Sequence, residues 1–309
     1  MPSSVPRTPE QRILETSVLL PEGGAVTGWA SLRLHLANFF DGLAPDGVTE
    51  LPVPLVVGPG RGRRQRDGVR WLEDRLDPDE VTVIHGIPAT TVRRAALDAM
   101  RLAPDVREAT VAMDMTAAAG LMSIARMRAY LLTRDGWVGV PQVRAALDLA
   151  DENSRSPNET RMRLIWVLDA GLPPPMVNKP VFDLSGRLIG IIDLLDFEAG
   201  VAGEFDGADH RAAMRHSRDV FREEDCRRHG LEYFKVTGPD LGSVPLIVDR
   251  MISTRSRALW LPPSRCRWTI VPPPGWQPDP PLDYLLDMHE EAERWEREGP
   301  PNLRDIIEG

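Results

Sequence analysis

The chain has 309 residues, which is enough for two domains that each bury a core of their own. Apolar residues make up 42% of it and charged residues 27%, as is ordinary for a soluble globular protein. The net charge of −9 argues against a protein that coats nucleic acid over its whole surface, but it leaves room for a local basic surface.

No segment of the sequence resembles a membrane span or a secretion signal. No run approaches the ~18 apolar residues that cross a bilayer, and the N-terminus lacks a charged stretch followed by an apolar one. We therefore predict a cytoplasmic protein with no membrane partner. The two cysteines, Cys226 and Cys266, fit a reducing compartment and do not have the spacing of metal ligands.

The N-terminal region, residues 1–150, is predicted to mix helices and strands. Helical spacing of apolar residues is followed by two strand-like runs and then by several more helices from Thr91 to about Leu149. The first two helices are predicted at residues 9–20 and 25–40, and the strands at residues 51–57 and 81–84.

Five arginines follow the first strand and are interrupted by glycines. They are Arg61, Arg63, Arg64, Arg66 and Arg70. Such a cluster can follow a phosphate backbone, or it can simply be the exposed tip of a hairpin.

The region 151–255 gives the clearest pattern. Ser156-Pro157-Asn158-Glu159 offers an N-cap hydroxyl, a proline at the first helical position and a glutamate able to complete a capping box, for a helix that ends near Ala170. Three strands, a helix and a fourth strand are predicted next, so the order of elements is αβββαβ. Their bounds are residues 177–184, 187–195, 201–206, 210–229 and 233–236.

The last region, residues 256–309, is predicted to be a proline-rich extended tail that ends in an acidic helix over residues 283–298. Apolar residues form one stripe on that helix: Tyr284, Leu285, Met288, Ala292 and Trp295. The stripe is expected to dock on the body of the protein, and the alternative is a contact site for a partner. The fold class predicted for the whole chain is α+β.

Three carboxylates interrupt the apolar strands of the αβββαβ region. Asp193 ends one apolar run, and Glu204 and Asp206 share one face of the next strand because they are two residues apart. Burying ionised carboxylates costs several kcal/mol apiece unless a partner compensates, and neither run contains Lys or Arg. We expect the three to converge and to bind a divalent ion such as Mg²⁺ or Mn²⁺.

Residues 156–240 resemble the PD-(D/E)XK restriction-endonuclease-like superfamily, and within it the proteins related to very-short-patch repair endonucleases of actinobacteria. The resemblance lies in Ser156–Glu159, Ile192-Asp193, Glu204-Phe205-Asp206-Gly207, His210 and Arg218-Asp219. It implies a DNA endonuclease in which Asp193 and Glu204 bind the metal and Glu159 is an auxiliary acid.

The sequence departs from that superfamily at Asp206, where the relatives have a lysine that positions water and stabilises the transition state. His210, Arg218 or Lys235 are candidates for the missing positive charge or proton transfer. Arg218 and Arg222, one helical turn apart, are candidates for binding nucleic acid; the alternative is an ordinary solvated helix face. Two of the acids have structural alternatives to a role in the site. Glu159 can serve only to cap its helix, and Asp206 can simply open a turn with Gly207.

Residues 9–150 resemble the region that precedes this domain in proteins similar to AbiE-type antitoxins. The resemblance lies in Gly24–Ala30, Leu32-Arg33-Leu34 and Val83–Thr91. Such relatives begin with a winged-helix module, and this sequence starts after the position of that module; either the module is absent or the start of the sequence is late. The sequence thus leaves three functions open. The first is a metal-dependent DNA endonuclease, and the second is a nuclease-fold DNA-binding or regulatory protein of the antitoxin type with a toxin or repair protein as partner. The third is an interaction protein whose contact is the acidic C-terminal helix.

Overall fold

The computed structural model describes residues 7–60, 64–207 and 222–299. The chain divides into two compact units. The first unit consists of residues 1–152 together with 279–309, and the second unit of residues 153–278. The predicted tail therefore belongs in part to each unit. The predicted α+β class is confirmed, because both units combine helices with a mixed sheet.

The first unit is built on a five-stranded sheet with the order β3-β2-β1-β5-β4. Its strands are β1 (Ala25–Val26), β2 (Val53–Val56), β3 (Val69–Leu72), β4 (Val81–Ile84) and β5 (Ile87–Thr90). β1 is central and pairs antiparallel with β2 and parallel with β5, while β4 and β5 form a hairpin. The hairpin turn consists of His85 and Gly86, both with positive φ, as a tight two-residue turn requires.

Helices cover this sheet and form a second, helical core in the same unit. They are α1 (Pro9–Ser17), α2 (Gly28–Leu34), α3 (Val92–Leu102), α4 (Val106–Ala118), α5 (Ile124–Leu131), α6 (Val140–Leu149) and α10 (Leu282–Glu298). The helical core is rich in Ala and Met, whose small or flexible side chains let α3, α4 and α6 pack closely. Among the described residues, no helix is both long and apolar enough to cross a membrane.

The prediction of one helix over residues 25–40 is wrong at both ends, since the helix that forms there, α2, spans only Gly28–Leu34. Ala25 and Val26 form the central strand, and the helix begins only after Thr27. Two fully buried residues between two strands gain a hydrogen-bonded partner on either side, and this tertiary pairing outweighs their helical spacing in the sequence.

A buried network of charges joins the sheet of the first unit to its helices. Glu80 is fully buried; its Oε2 accepts a hydrogen bond from Arg94 Nη1 at 2.8 Å, and its Oε1 accepts one from Arg134 Nη2 at 2.8 Å. Burial alone would raise the pKa of Glu80, but hydrogen bonds from Tyr130 and Arg134 and the charge of Arg94 lower it overall. Glu80 is therefore held in its ionised form.

The same network continues along α3. Asp98 is fully buried and accepts hydrogen bonds from Arg94 Nε at 3.0 Å and from Arg101 Nε at 2.7 Å, and Arg101 also pairs with Asp74. The indole of Trp137 lies against three of these guanidinium groups, with centroid distances of 4.7, 5.7 and 5.5 Å for Arg94, Arg101 and Arg134. Three arginines thus balance three carboxylates.

The second unit contains the predicted αβββαβ order and adds a helix and a strand that were not predicted; residues 210–221 of the helix predicted over residues 210–229 lie outside the described residues. Helix α7 (Pro157–Leu164) continues as a π-helical turn (Ile165–Asp169), and is followed by β6 (Met176–Asp183), β7 (Leu188–Asp196) and β8 (Val201–Asp206). Helix α8 is described over residues 222–228, and then come β9 (Glu232–Thr237) and α9 (Val244–Arg257). β6, β7 and β8 form an antiparallel meander, and β9 pairs parallel with β8.

The tail differs from the prediction in two respects. Within residues 256–278, β10 (Trp268–Thr269) pairs with β6 and completes the sheet order β10-β6-β7-β8-β9, so this segment is not merely extended chain. Helix α10 forms as predicted, but it docks through Leu282 and the buried Leu286. The predicted stripe is instead exposed, with Tyr284 56%, Met288 48% and Trp295 49% accessible.

We expect Glu80→Gln to lower the free energy of unfolding of the first unit by about 3–5 kcal/mol, because it leaves the buried Arg94 without its carboxylate partner. The change in the free energy of unfolding is measured by urea denaturation, with hydrogen exchange of peptides from this unit as the probe of unfolding. The matched control is Asp135→Asn, which breaks the exposed pair with Arg144 and should cost no more than about 1 kcal/mol. Equal losses in both variants would contradict a stabilising role for the buried network.

Candidate functional site: a carboxylate pair on β7 and β8

Asp193 and Glu204 lie on neighbouring antiparallel strands. Leu194 is paired with Gly203, so continuing the register by one residue places Asp193 opposite Glu204. The Oδ2 atom of Asp193 accepts a hydrogen bond of 2.8 Å from the backbone N–H of Phe205, which holds this carboxylate against β8. The structure therefore brings together the two acids that the sequence analysis named as metal ligands.

The carboxyl group of Asp193 is partly buried, and this burial raises its pKa. Loss of hydration raises the pKa of Asp193 to about 7, opposed by the Phe205 hydrogen bond and assisted by the negative charge of Glu159. The charges of Arg222 and Arg155 act in the opposite direction without cancelling the effect. Asp193 thus changes charge near neutral pH, which is unusual for an aspartate.

Glu204 is buried and forms an ion pair with Arg222, for which a different role was predicted. Arg222 Nη1 lies 2.9 Å from Glu204 Oε2, and its side-chain stem passes over Gly190 of β7. A Cβ atom at position 190 would lie only 3.3 Å from Arg222 Cδ, so the glycine gives the arginine its path to the site. Arg222 was predicted to lie on a nucleic-acid-binding or solvated helix face, whereas in the structure it contacts Glu204.

Aromatic packing on the opposite side of β8 supports the position of Glu204. The ring of Phe234 covers Gly203, where any added Cβ would lie 2.2 Å from Phe234 Cζ, and the ring stacks on Trp166 at a centroid distance of 5.8 Å. β8 and β9 are thereby fixed in the register that sets Glu204 beside Lys235.

Glu159 combines the capping role with proximity to the site. Its backbone N–H donates to Ser156 Oγ at 3.2 Å, as the capping motif predicts. Its Oε2 atom accepts hydrogen bonds from Arg155 N–H at 2.9 Å and from Asn178 Nδ2 at 2.8 Å, so the carboxylate reaches back one residue beyond the N-cap. Because its charge contributes to the raised pKa of Asp193, Glu159 also belongs to the electrostatic environment of the pair.

Asp206 does not join Asp193 and Glu204. Its Oδ2 atom lies 3.2 Å from Lys235 Nζ, and Lys235 is the residue registered with Glu204 on β9. Within the described residues, no group of three or more His, Cys, Asp or Glu side chains is arranged to hold a metal ion. The expected convergence of three carboxylates is therefore not found, and a lysine takes up the third carboxylate.

The remaining sequence-predicted residues of the site, His210 and Arg218, lie outside the described residues. Lys235 was among the candidates for the missing positive charge, and the structure places it beside Asp206 on the strand next to Glu204. Asn178, which holds Glu159, was not predicted; its positive φ of 46° is the local feature that marks it.

No protein-family model, curated protein or solved structure matches the chain. The α+β class is observed directly, and residues 157–237 of the second unit follow the αβββαβ order, with its second helix described from residue 222. Membership of the restriction-endonuclease-like superfamily stays a prediction, and the case for any function rests on the geometry of the carboxylate pair.

We expect Asp193→Asn to remove a pH dependence of stability. Because the folded-state pKa of about 7 exceeds the ordinary value of 3.8, the folded protein retains a proton that the unfolded chain releases. The stabilising contribution is complete below about pH 4 and is lost as pH rises to about 7, with a slope of at most about 1.4 kcal/mol per pH unit. Denaturation of both proteins in EDTA between these values measures the difference.

The control for this comparison is Asp249→Asn, which changes an exposed carboxylate on α9 of the same unit. It should leave the pH dependence of the wild type unchanged. Parallel pH profiles for the wild type and Asp193→Asn would show that Asp193 titrates as an ordinary surface carboxylate.

Proposed function

We propose that the second unit is a metal-dependent phosphodiesterase that acts on DNA, with Asp193 and Glu204 as the cation ligands. The observation that supports this most directly is the placement of two carboxylates side by side on β7 and β8, one of them buried. Among the described residues, Asp193 forms no ion pair, although it is drawn out of water. Such a group is costly to ionise unless a cation binds it.

The donor set fits a hard divalent cation such as Mg²⁺ or Mn²⁺. These ions bind carboxylate oxygens, and Mg²⁺ is commonly held by one or two carboxylates, with water and substrate phosphate completing its coordination. Two carboxylates are therefore sufficient. When bound, such an ion would neutralise charge on a phosphodiester and acidify a coordinated water.

The other residues of the site have roles that follow from their contacts. Lys235 presents its ammonium group next to Asp206 and beside Glu204, where it can donate a hydrogen bond to a phosphate oxygen. It thus supplies from β9 the positive charge that the related superfamily supplies from the position of Asp206. Glu159 is fixed by Asn178 and keeps negative charge close to Asp193, which favours a cation there.

A second function is favoured by one specific contact, the ion pair between Arg222 and Glu204. If this guanidinium permanently neutralises the carboxylate pair, it takes the place of the metal. The unit is then a nuclease-fold DNA-binding or regulatory protein of the antitoxin type. Its partner in that case is a toxin or a repair protein.

Calorimetric titration of the full chain with Mn²⁺, together with plasmid nicking, tests the proposal. We expect the wild type to bind Mn²⁺ and nick DNA, and Glu204→Gln to lose at least about 100-fold in metal affinity, because it removes a direct ligand rather than an outer one. Lys235→Met should retain metal binding while nicking falls by about 100-fold or more, since it removes a charge that acts on the phosphate.

Asp249→Asn again serves as the matched control, because it neutralises an exposed carboxylate of the same unit and should behave as the wild type. If Glu204→Gln and Asp249→Asn cleave equally, the carboxylate pair is not the active site. If the wild type binds no Mn²⁺ but Arg222→Ala does, the regulatory function is favoured over the enzymatic one.

A further inference from the structure

A cavity of about 500 Å³ opens in the first unit beside the connection between β2 and β3. It is lined by Leu19, Arg64, Gln65, Arg66 and Trp71. Ligand sites have volumes of roughly 300–1,000 Å³ and combine an apolar wall with a few polar groups. None of these residues takes part in the carboxylate site, so this cavity is a separate feature of the chain.

Trp71 forms the aromatic wall of the cavity and is firmly held. Its backbone pairs with Leu55 in the sheet, and its ring packs against the apolar core beneath that sheet. The indole Nε1–H donates to the backbone carbonyl of Arg64 at 3.2 Å, which ties the arginine-rich connection to the ring. The indole remains partly exposed, so it offers a pre-positioned aromatic surface.

The cationic groups at this cavity are not consumed by ion pairs. Arg64 and Arg66 are exposed, and neither forms an ion pair or other polar side-chain contact within the described part of the chain. Several other arginines of the unit are paired with carboxylates, as Arg33 is with Glu10 and Arg93 with Asp79. Two guanidinium groups without an ion pair among the described residues therefore line the same cavity as one indole.

We infer that this cavity binds one nucleotide of a single-stranded nucleic acid, with the base against Trp71 and the adjoining phosphates on Arg64 and Arg66. Guanidinium groups bind phosphate with charge-assisted, often bidentate hydrogen bonds. Aromatic side chains stack on bases of any sequence, because every base has a π-face. The cavity is lined by both kinds of group.

The ligand is a single strand rather than a duplex because the face of a base is accessible to an indole only when the base is not stacked in a helix. A duplex would reach only the two arginines. Single-stranded DNA and RNA share the chemistry required here, and the contact does not depend on metal or on cleavage by the second unit.

Fluorescence anisotropy of labelled oligo-dT, oligo-rU and a duplex of equal length, in EDTA, tests the inference with the full chain. We expect single strands to bind more tightly than the duplex. Arg64→Ala/Arg66→Ala should weaken single-strand binding at least about tenfold and flatten the slope of log affinity against log salt by about 1.4, for two lost phosphate contacts. Trp71→Leu, which keeps an apolar side chain, should weaken it by about 5- to 150-fold.

Arg128→Ala/Arg144→Ala is the matched control, because it removes the same charge from exposed arginines of the same unit that are already paired with aspartates. It should bind single strands nearly as the wild type does. If both double variants lose the same affinity for single strands, the effect is due to overall charge alone and the inference is overturned. Equal affinity for duplex and single strand, or no binding at all, would also overturn it.

Discussion

The cost of removing ionised groups from water governs both units of this protein. In the first unit, the fully buried Glu80, Arg94 and Asp98 are tolerated because each carboxylate meets guanidinium groups in hydrogen-bonding contact. Arg101, Arg134 and Asp74 complete a network in which charges of the two signs are equal in number. Because its positive and negative charges are equal in number, the network needs no ligand to neutralise it. These titratable groups therefore have a structural role, which is to connect the sheet to the helices.

The carboxylate pair of the second unit is satisfied less completely. Glu204 has Arg222, but Asp193 has only a backbone N–H as its hydrogen-bond donor among the described residues, and its pKa is raised as a result. The two sites also differ in protonation, because the network keeps Glu80 ionised whereas Asp193 changes charge near neutral pH.

Local patterns predicted those parts of the second unit whose signals lie within a few residues. Strand Val201–Asp206 has the predicted bounds, and the helix that follows Ser156 is capped as predicted. The pairing of Glu204 with Arg222 could not be predicted, because the two residues are 18 positions apart and the contact depends on how α8 is oriented against the sheet. The two-residue strand Ala25–Val26 was missed for a related reason, since its pairing partners are distant in sequence. The exposed stripe of α10 shows the same limit, because ion pairs of Arg126 with Asp283 and Asp287 hold a different face of that helix.

The charges around Asp193 and Glu204 indicate what the site can accept. Contacts and electrostatic couplings bring three carboxylates and two cationic side chains to it: Glu159, Asp193 and Glu204, with Arg155 and Arg222. The neighbouring ion pair of Asp206 with Lys235 adds no net charge. With every group ionised, this set carries one excess negative charge. A proton on Asp193 removes that excess, whereas a divalent cation reverses it to one positive charge. A phosphodiester carries a single negative charge, so the cation-bound set, and not the protonated one, is electrostatically complementary to a DNA backbone.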